Sequence, residues 1–159
     1  MAGIIESVVI GSKLTGIVST VGTNVAIRTL TTTTSSIGNL ISYLTTNTKP
    51  GASDVINTLV SLDLEFTVGI IENVIKELND ETLNEPIKKA LFGVNETLML
   101  IHRELNSLKG AIEYHNSKYL KNWRSFSWSG NTEALKQYNA TLKNRYSMLL
   151  DLLKIYLKK

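Results

Sequence analysis

The run from Ile87 to Tyr119 constrains this chain more than any other stretch. Steps of four and three from Ile87 land on Leu91, Val94, Leu98, Ile101, Leu105, Leu108, Ile112, His115 and Tyr119, and only His115 is not clearly apolar. A mean step of 3.5 keeps such a seam on one face only if the helix winds left-handedly around neighbours. Read as heptads, Leu91, Leu98, Leu105 and Ile112 fall at a, while Ile87, Val94, Ile101 and Leu108 fall at d. Leucine at a with mostly β-branched residues at d shifts helical assemblies above dimers, so the seam predicts a four-helix core.

The 159 residues suffice for one domain with a single core. Apolar residues make up 43% of the chain but aromatics only 7%, so Leu, Ile and Val must carry the burial. The absence of cysteine excludes disulfides, thiolate metal sites and cysteine nucleophiles. Pro50 and Pro86 both fall where helix boundaries are expected. A net charge of +3 hides a division: Met1 to Glu85 carries 4 basic against 9 acidic residues, and Pro86 to Lys159 carries 13 against 5. Such halves either attract one another or offer a basic face to an anionic partner.

Met1 to Leu44 carries only the charges Glu6, Lys13 and Arg28. Its apolar residues fall in two groups of helical spacing, Leu14, Ile17, Val18, Val21 and Val25, then Ile37, Leu40, Ile41 and Leu44. Between them Thr29 to Ser36 has poor helix propensity, which leaves one helix with a weak middle or two helices joined there. Glu6 and Lys13 interrupt the only candidate membrane span, Ile4 to Ile27. An early acidic residue without a basic region before it does not make a signal peptide, and Ala2 stands where myristoylation needs glycine. These features imply a cytoplasmic or peripheral-membrane protein. Ser12, Gly16 and Thr20, spaced by four, allow close approach to a neighbouring helix.

Lys49-Pro50-Gly51 reads as a turn, followed by a second helix from Ser53 to about Leu78 with Ile56, Leu59, Val60, Phe66, Ile70, Ile71, Val74 and Leu78 as candidate core. The third helix starts at Pro86, capped by Asn84 or Glu85, and is expected to reach Trp123 or Arg124, about 38 residues or about 57 Å. After a turn at Ser125 to Asn131, with Asn131 or Thr132 as cap, a fourth helix from about Glu133 to Leu157 carries Leu135, Tyr138, Leu142, Tyr146, Leu149, Leu153 and Tyr156. The expected fold is therefore all-α, an antiparallel up-down four-helix bundle with long helices, forming a single domain over residues 1–159.

Patterns of enzymatic chemistry are missing. Met99 and Ile112 stand three residues before His102 and His115, where a di-iron bundle needs Glu, and the two histidines are not four apart as in a helical zinc pair. Gly11 and Gly16 have the outer spacing of a phosphate loop, but Ile17 and Val18 replace its Lys and Ser/Thr. No catalytic residue, metal or cofactor is expected. The Asn-x-Thr matches at Asn95 and Asn139 fall inside predicted helices.

Tyr114 to Trp128 interleaves Tyr114, Tyr119, Trp123, Phe126 and Trp128 with Lys118, Lys121 and Arg124. Rings beside basic stems suit a plug closing the end of a bundle, a lipid interface, or stacked nucleic-acid bases, in that order of preference. Lys136, Lys143 and Arg145 extend the basic character, and with the preceding three form the candidate site for anionic lipid.

The opening Met1-Ala2-Gly3-Ile4-Ile5-Glu6, the Ile/Val-rich first segment, the long amphipathic helices and the basic surface together resemble the HeLo and MLKL-type four-helix cell-death domains. The resemblance covers most of the chain at the level of architecture. It departs at Thr29 to Ser36, and the sequence ends at Lys159, where members of that family normally continue into a kinase, NTPase or prion-forming segment. It implies recognition of anionic lipid by the bundle, with a membrane-active first helix, here Ile4, Ile5, Val8, Val9, Leu14, Ile17, Val18 and Val21. The alternative expectation is a structural protein that self-associates through its long third helix into a homo-oligomer, with ladder residues near His115 and Tyr119 left uncovered by one chain.

Overall fold

The computed structural model describes residues 27–47, 53–78, 83–118, 126 and 128–158. Every regular element among them is helical: α1 (27–47), α2 (Ser53–Ser61), α3 (Leu64–Lys76), α4 (Glu85–Ser117) and α5 (Ser129–Leu157).

The ladder lies on α4, a helix of 33 residues. Asn84 caps it, its side-chain oxygen accepting from the Ile87 N–H at 3.2 Å, and Pro86 sits in the first turn, where the absent N–H costs nothing. All eight ladder positions from Ile87 to Ile112 are buried, none more than 6% exposed. The helix stops at Ser117, several residues short of the expected Trp123 or Arg124. The Ser117 hydroxyl donates to the Tyr114 carbonyl at 2.7 Å and Lys118 turns to extended backbone, so side-chain competition for backbone partners ends the helix.

α5 begins at Ser129, earlier than the expected Glu133, with Trp128 at the cap position. Asn131 does not cap; its amide donates to Glu104 Oε2 on α4 at 2.9 Å. Of the expected stripe, Leu135, Leu142 and Leu149 are fully buried, Tyr138, Tyr146 and Leu153 are half-buried, and Tyr156 is exposed.

The second rod departs most from expectation. One helix was expected from Ser53 to about Leu78; the chain instead forms α2 and α3 with a break at Leu62 and Asp63, where Asp63 adopts left-handed backbone with φ 52°. The buried residues are Val55, Leu59, Leu64, Val68, Ile71 and Ile75, which include one step of five, from Leu59 to Leu64. An unbroken helix would carry Leu64 about 140° away from Leu59. The break restores it to the core side. Val60, Phe66 and Ile70, expected inside, are 67%, 65% and 39% exposed: Phe66 and Ile70 follow the stripe that Leu59 would continue in an unbroken helix, and Val60 lies about 100° round α2 from Leu59. The freed Leu62 carbonyl accepts the Asn139 side-chain amide of α5 at 3.0 Å.

α1 runs without interruption through the weak stretch from Thr29 to Ser36. The hydroxyls of Thr31, Thr32 and Thr33 donate to the carbonyls of Ile27, Arg28 and Thr29, and Thr34 donates to Thr31. Leu30, Ile37, Leu40, Ile41 and Leu44 are buried, and this packing overrides local propensity.

Side-chain pairings give the directions of neighbours. Gly93 meets Arg145, Glu104 meets Asn131 and His115 meets Phe126, so α4 and α5 are antiparallel. Ser36 meets His102, and Tyr43 meets Lys109 at the same separation of 66 residues, so α1 and α4 run the same way. Ser35 bonds Glu72, whereas Ile41 and Thr45 share a cavity with Leu59 and Leu64, so α1 opposes the second rod.

Candidate functional site

The basic residues of α5 divide by helical geometry. Lys136 and Lys143 are seven residues apart and Lys154 follows eleven later, both near-whole numbers of turns, so all three form one row on the exposed face. Lys136 lies 3.6 Å from Glu133 and Lys154 lies 3.2 Å from Asp151. Both are solvent-exposed pairs of the kind worth about 0–1 kcal/mol, and they leave the ammonium groups accessible.

Arg145 points the other way. Nine residues from Lys136 is two and a half turns, which directs its guanidinium at α4. Arg145 Nη1 donates to the Gly93 carbonyl at 2.6 Å and to Thr97 Oγ1 at 3.0 Å, and lies 3.4 Å from Glu96. This side chain clamps α5 to α4 and is not brought together with the lysine row.

Grooves flank the row on both sides. Toward α3, Phe66, Ile70, Tyr146 and Leu150 line a space of about 250 Å³ with Lys143 at its edge. Toward α4, Ala90, Phe92, Gly93, Met148 and Leu152 line a larger one of about 540 Å³, bordered by Lys89, Glu96 and Arg145. Phe92, Met148 and Ile155 are 59%, 64% and 65% exposed. Burial pushes the Tyr146 phenol above its ordinary pKa, so it stays neutral beside the smaller groove.

Of the aromatic and basic cluster, Phe126 and Trp128 pack against the core, with Phe126 edge-on to His115 at 5.6 Å. This is the geometry of an end plug. Lys118 is exposed, its ammonium 4.3 Å from the centre of the Tyr114 ring. It lies at the end of α4 remote from Pro86. Lys121, Arg124, Tyr119 and Trp123 lie outside the described residues, as do Ile4, Ile5, Val8, Val9, Leu14, Ile17, Val18 and Val21 of the candidate membrane-active segment.

Sequence reasoning missed Phe92 and Met148 as surface features. The available signal was their position off the ladder face, with Met148 and Ile155 one near-whole number of turns apart next to a lysine row. His102 takes part in a side-chain seam between helices, its Nε2 2.8 Å from the Ser36 hydroxyl. Among the described residues, no three His, Asp or Glu side chains are grouped to hold a metal ion, and no helix is long and apolar enough to cross a membrane. No known family matches this chain, and neither a curated protein nor a solved structure matches it.

Proposed function

We propose that this chain is a non-enzymatic helical module that docks on anionic membranes through the outer face of α5. Its four rods, counting α2 and α3 as one, form a bundle of alternating direction like that of the HeLo and MLKL-type domains, and the segment from Ile4 to Val21 is its membrane-active element. The observation that carries the reading is the exposed row of Lys136, Lys143 and Lys154 with apolar side chains uncovered on both sides, Phe66 and Ile70 along one and Met148 and Ile155 along the other. Ammonium groups reach acidic headgroups while apolar neighbours enter the headgroup boundary, as on helices that lie in a membrane surface. Self-association through the α4 ladder draws less support, since its side chains from Ile87 to Ile112 are buried within the chain.

The test is co-sedimentation with phosphatidylcholine vesicles with and without phosphatidylserine. At about 1 kcal/mol per lysine near an acidic surface, exchanging Lys136, Lys143 and Lys154 for alanine weakens binding roughly a hundredfold. Equal binding to neutral vesicles, or binding untouched by the triple substitution, overturns the reading. Loss of binding only in a Lys118, Lys121, Arg124 triple alanine variant moves the contact to the other end of the bundle.

A further inference from the structure

We infer that the groove between α4 and α5 binds one long-chain carboxylate from solution, its alkyl chain laid along the helices and its head group on Lys89. This site goes beyond the membrane reading and does not rest on it. Dimensions come first. The groove extends along α4 from Pro86 to Glu96, about 15 Å of helix. One acyl chain reaches about half-way through a hydrocarbon core about 30 Å thick, which is the same length. The space of about 540 Å³ falls within the range of about 300–1,000 Å³ usual for small-molecule sites. At about 30 Å³ for a group the size of a water molecule, it holds about eighteen such groups, the heavy-atom count of a sixteen-carbon carboxylate. The groove toward α3, at about 250 Å³, has less than half of that room.

The lining suits an alkyl chain. Ala90, Phe92, Met148 and Leu152 present carbon to it. Gly93 is covered by the Arg145 stem, whose Cδ would lie 3.6 Å from a Cβ at that position, so methylene groups form the floor there too. Met148, unbranched and half free, can shape itself to an aliphatic ligand.

Charge complementarity selects the head group. Arg145 and Glu96 lie 3.4 Å apart and offset one another, and the guanidinium is further engaged by the Gly93 carbonyl and the Thr97 hydroxyl. Lys88 is taken by Glu85 at 3.3 Å. Lys89 has no carboxylate partner among the described residues. A single unpaired ammonium at the rim of an apolar slot matches a single carboxylate at the end of an apolar chain.

The test is calorimetric titration of the full chain with palmitate below its micelle threshold. One molecule binds per chain. Laurate, shorter by four methylenes, binds about fifteenfold more weakly, as half-covered methylenes require. K89Q weakens palmitate binding about fivefold, the scale of an exposed ion pair. M148D, which sets a second negative charge in the wall, weakens it at least tenfold, whereas F66D in the other groove leaves it unchanged. Met148, Lys89 and Phe66 are all exposed, so these variants keep the fold.

Absence of palmitate binding, equal binding of laurate and palmitate, or binding that M148D leaves intact overturns the inference. So does a dimer in solution that M148D dissociates and palmitate does not, which places a second copy in the groove. The lysine row separates this site from the membrane contact. Palmitate binding is untouched when Lys136, Lys143 and Lys154 are exchanged for alanine, and it stands even if vesicle binding fails. Vesicle binding that depends on the row while palmitate does not bind removes the groove ligand alone.

Discussion

α4 and the α2–α3 rod meet the same core with opposite results. Along α4 the buried residues advance by fours and threes without a lapse, and the chain keeps one helix for 33 residues. Along the second rod a single step of five, from Leu59 to Leu64, divides the helix into 9 and 13 residues. One extra residue in an apolar repeat suffices to break a helix when the core lies on both sides of it. Facing the core with Leu64, Val68, Ile71 and Ile75 outweighs the backbone continuity given up at Leu62 and Asp63.

Truncating one side chain from each pattern gives the largest expected difference. L98A, on the buried ladder, lowers stability by about 2–5 kcal/mol in urea unfolding, whereas F66A, on the stripe that a continuous helix would bury, changes it by no more than about 0.5 kcal/mol. Equal losses would mean that the second rod has no break in solution.

Next in size is the tie across the break. Asn139 is 5% exposed and its amide serves the Leu62 carbonyl. N139A leaves that carbonyl without its donor and costs about 1–3 kcal/mol by the same measurement. No loss would show that the break is held by packing alone.

D63G acts on the break in the opposite sense. Glycine takes the left-handed conformation of Asp63 without steric penalty, so the variant gains about 0.5–1 kcal/mol. Destabilisation instead would indicate a helical residue at this position.

The smallest effect is one of pH. Lys76, 2.7 Å from Glu72, holds this carboxyl below its usual range, with a further bond from the Ser35 hydroxyl of α1. A lowered pKa in the fold contributes stability that is present above the unfolded carboxylate value and is lost as pH falls through the folded one. E72Q therefore flattens the acid limb of the stability profile by a few tenths of a kcal/mol, as suits a pair near the surface. An unchanged limb would show that the pair adds nothing to the joint between α1 and α3.

Much of the architecture was legible because regular spacing translates directly into burial. The ladder named eight core residues of α4, and Leu135, Leu142 and Leu149 were read correctly on α5. The break was not legible because Phe66 and Ile70 continue the helical spacing of Leu59 as a second stripe, and only the position of the neighbouring helices decides between the two. Helix ends at Ser117 and Ser129 escaped for a related reason: they depend on what Ser117 and Asn131 bond to. At the surface, the seven-residue spacing of Lys136 and Lys143 was in plain view. The inward aim of Arg145 was not, since it requires knowing that Gly93 and Thr97 lie opposite.

The threonines of α1 carry a consequence for solvent. Thr31, Thr32, Thr33 and Thr34 each give their hydroxyl proton to a carbonyl of the same helix. A polar sequence thereby becomes a rod whose donors are already engaged, and transferring its flank from water to an oily environment strands none of those four protons. This stretch of α1 is thus chemically tolerant of either medium, a property that the count of its hydroxyl groups would not suggest.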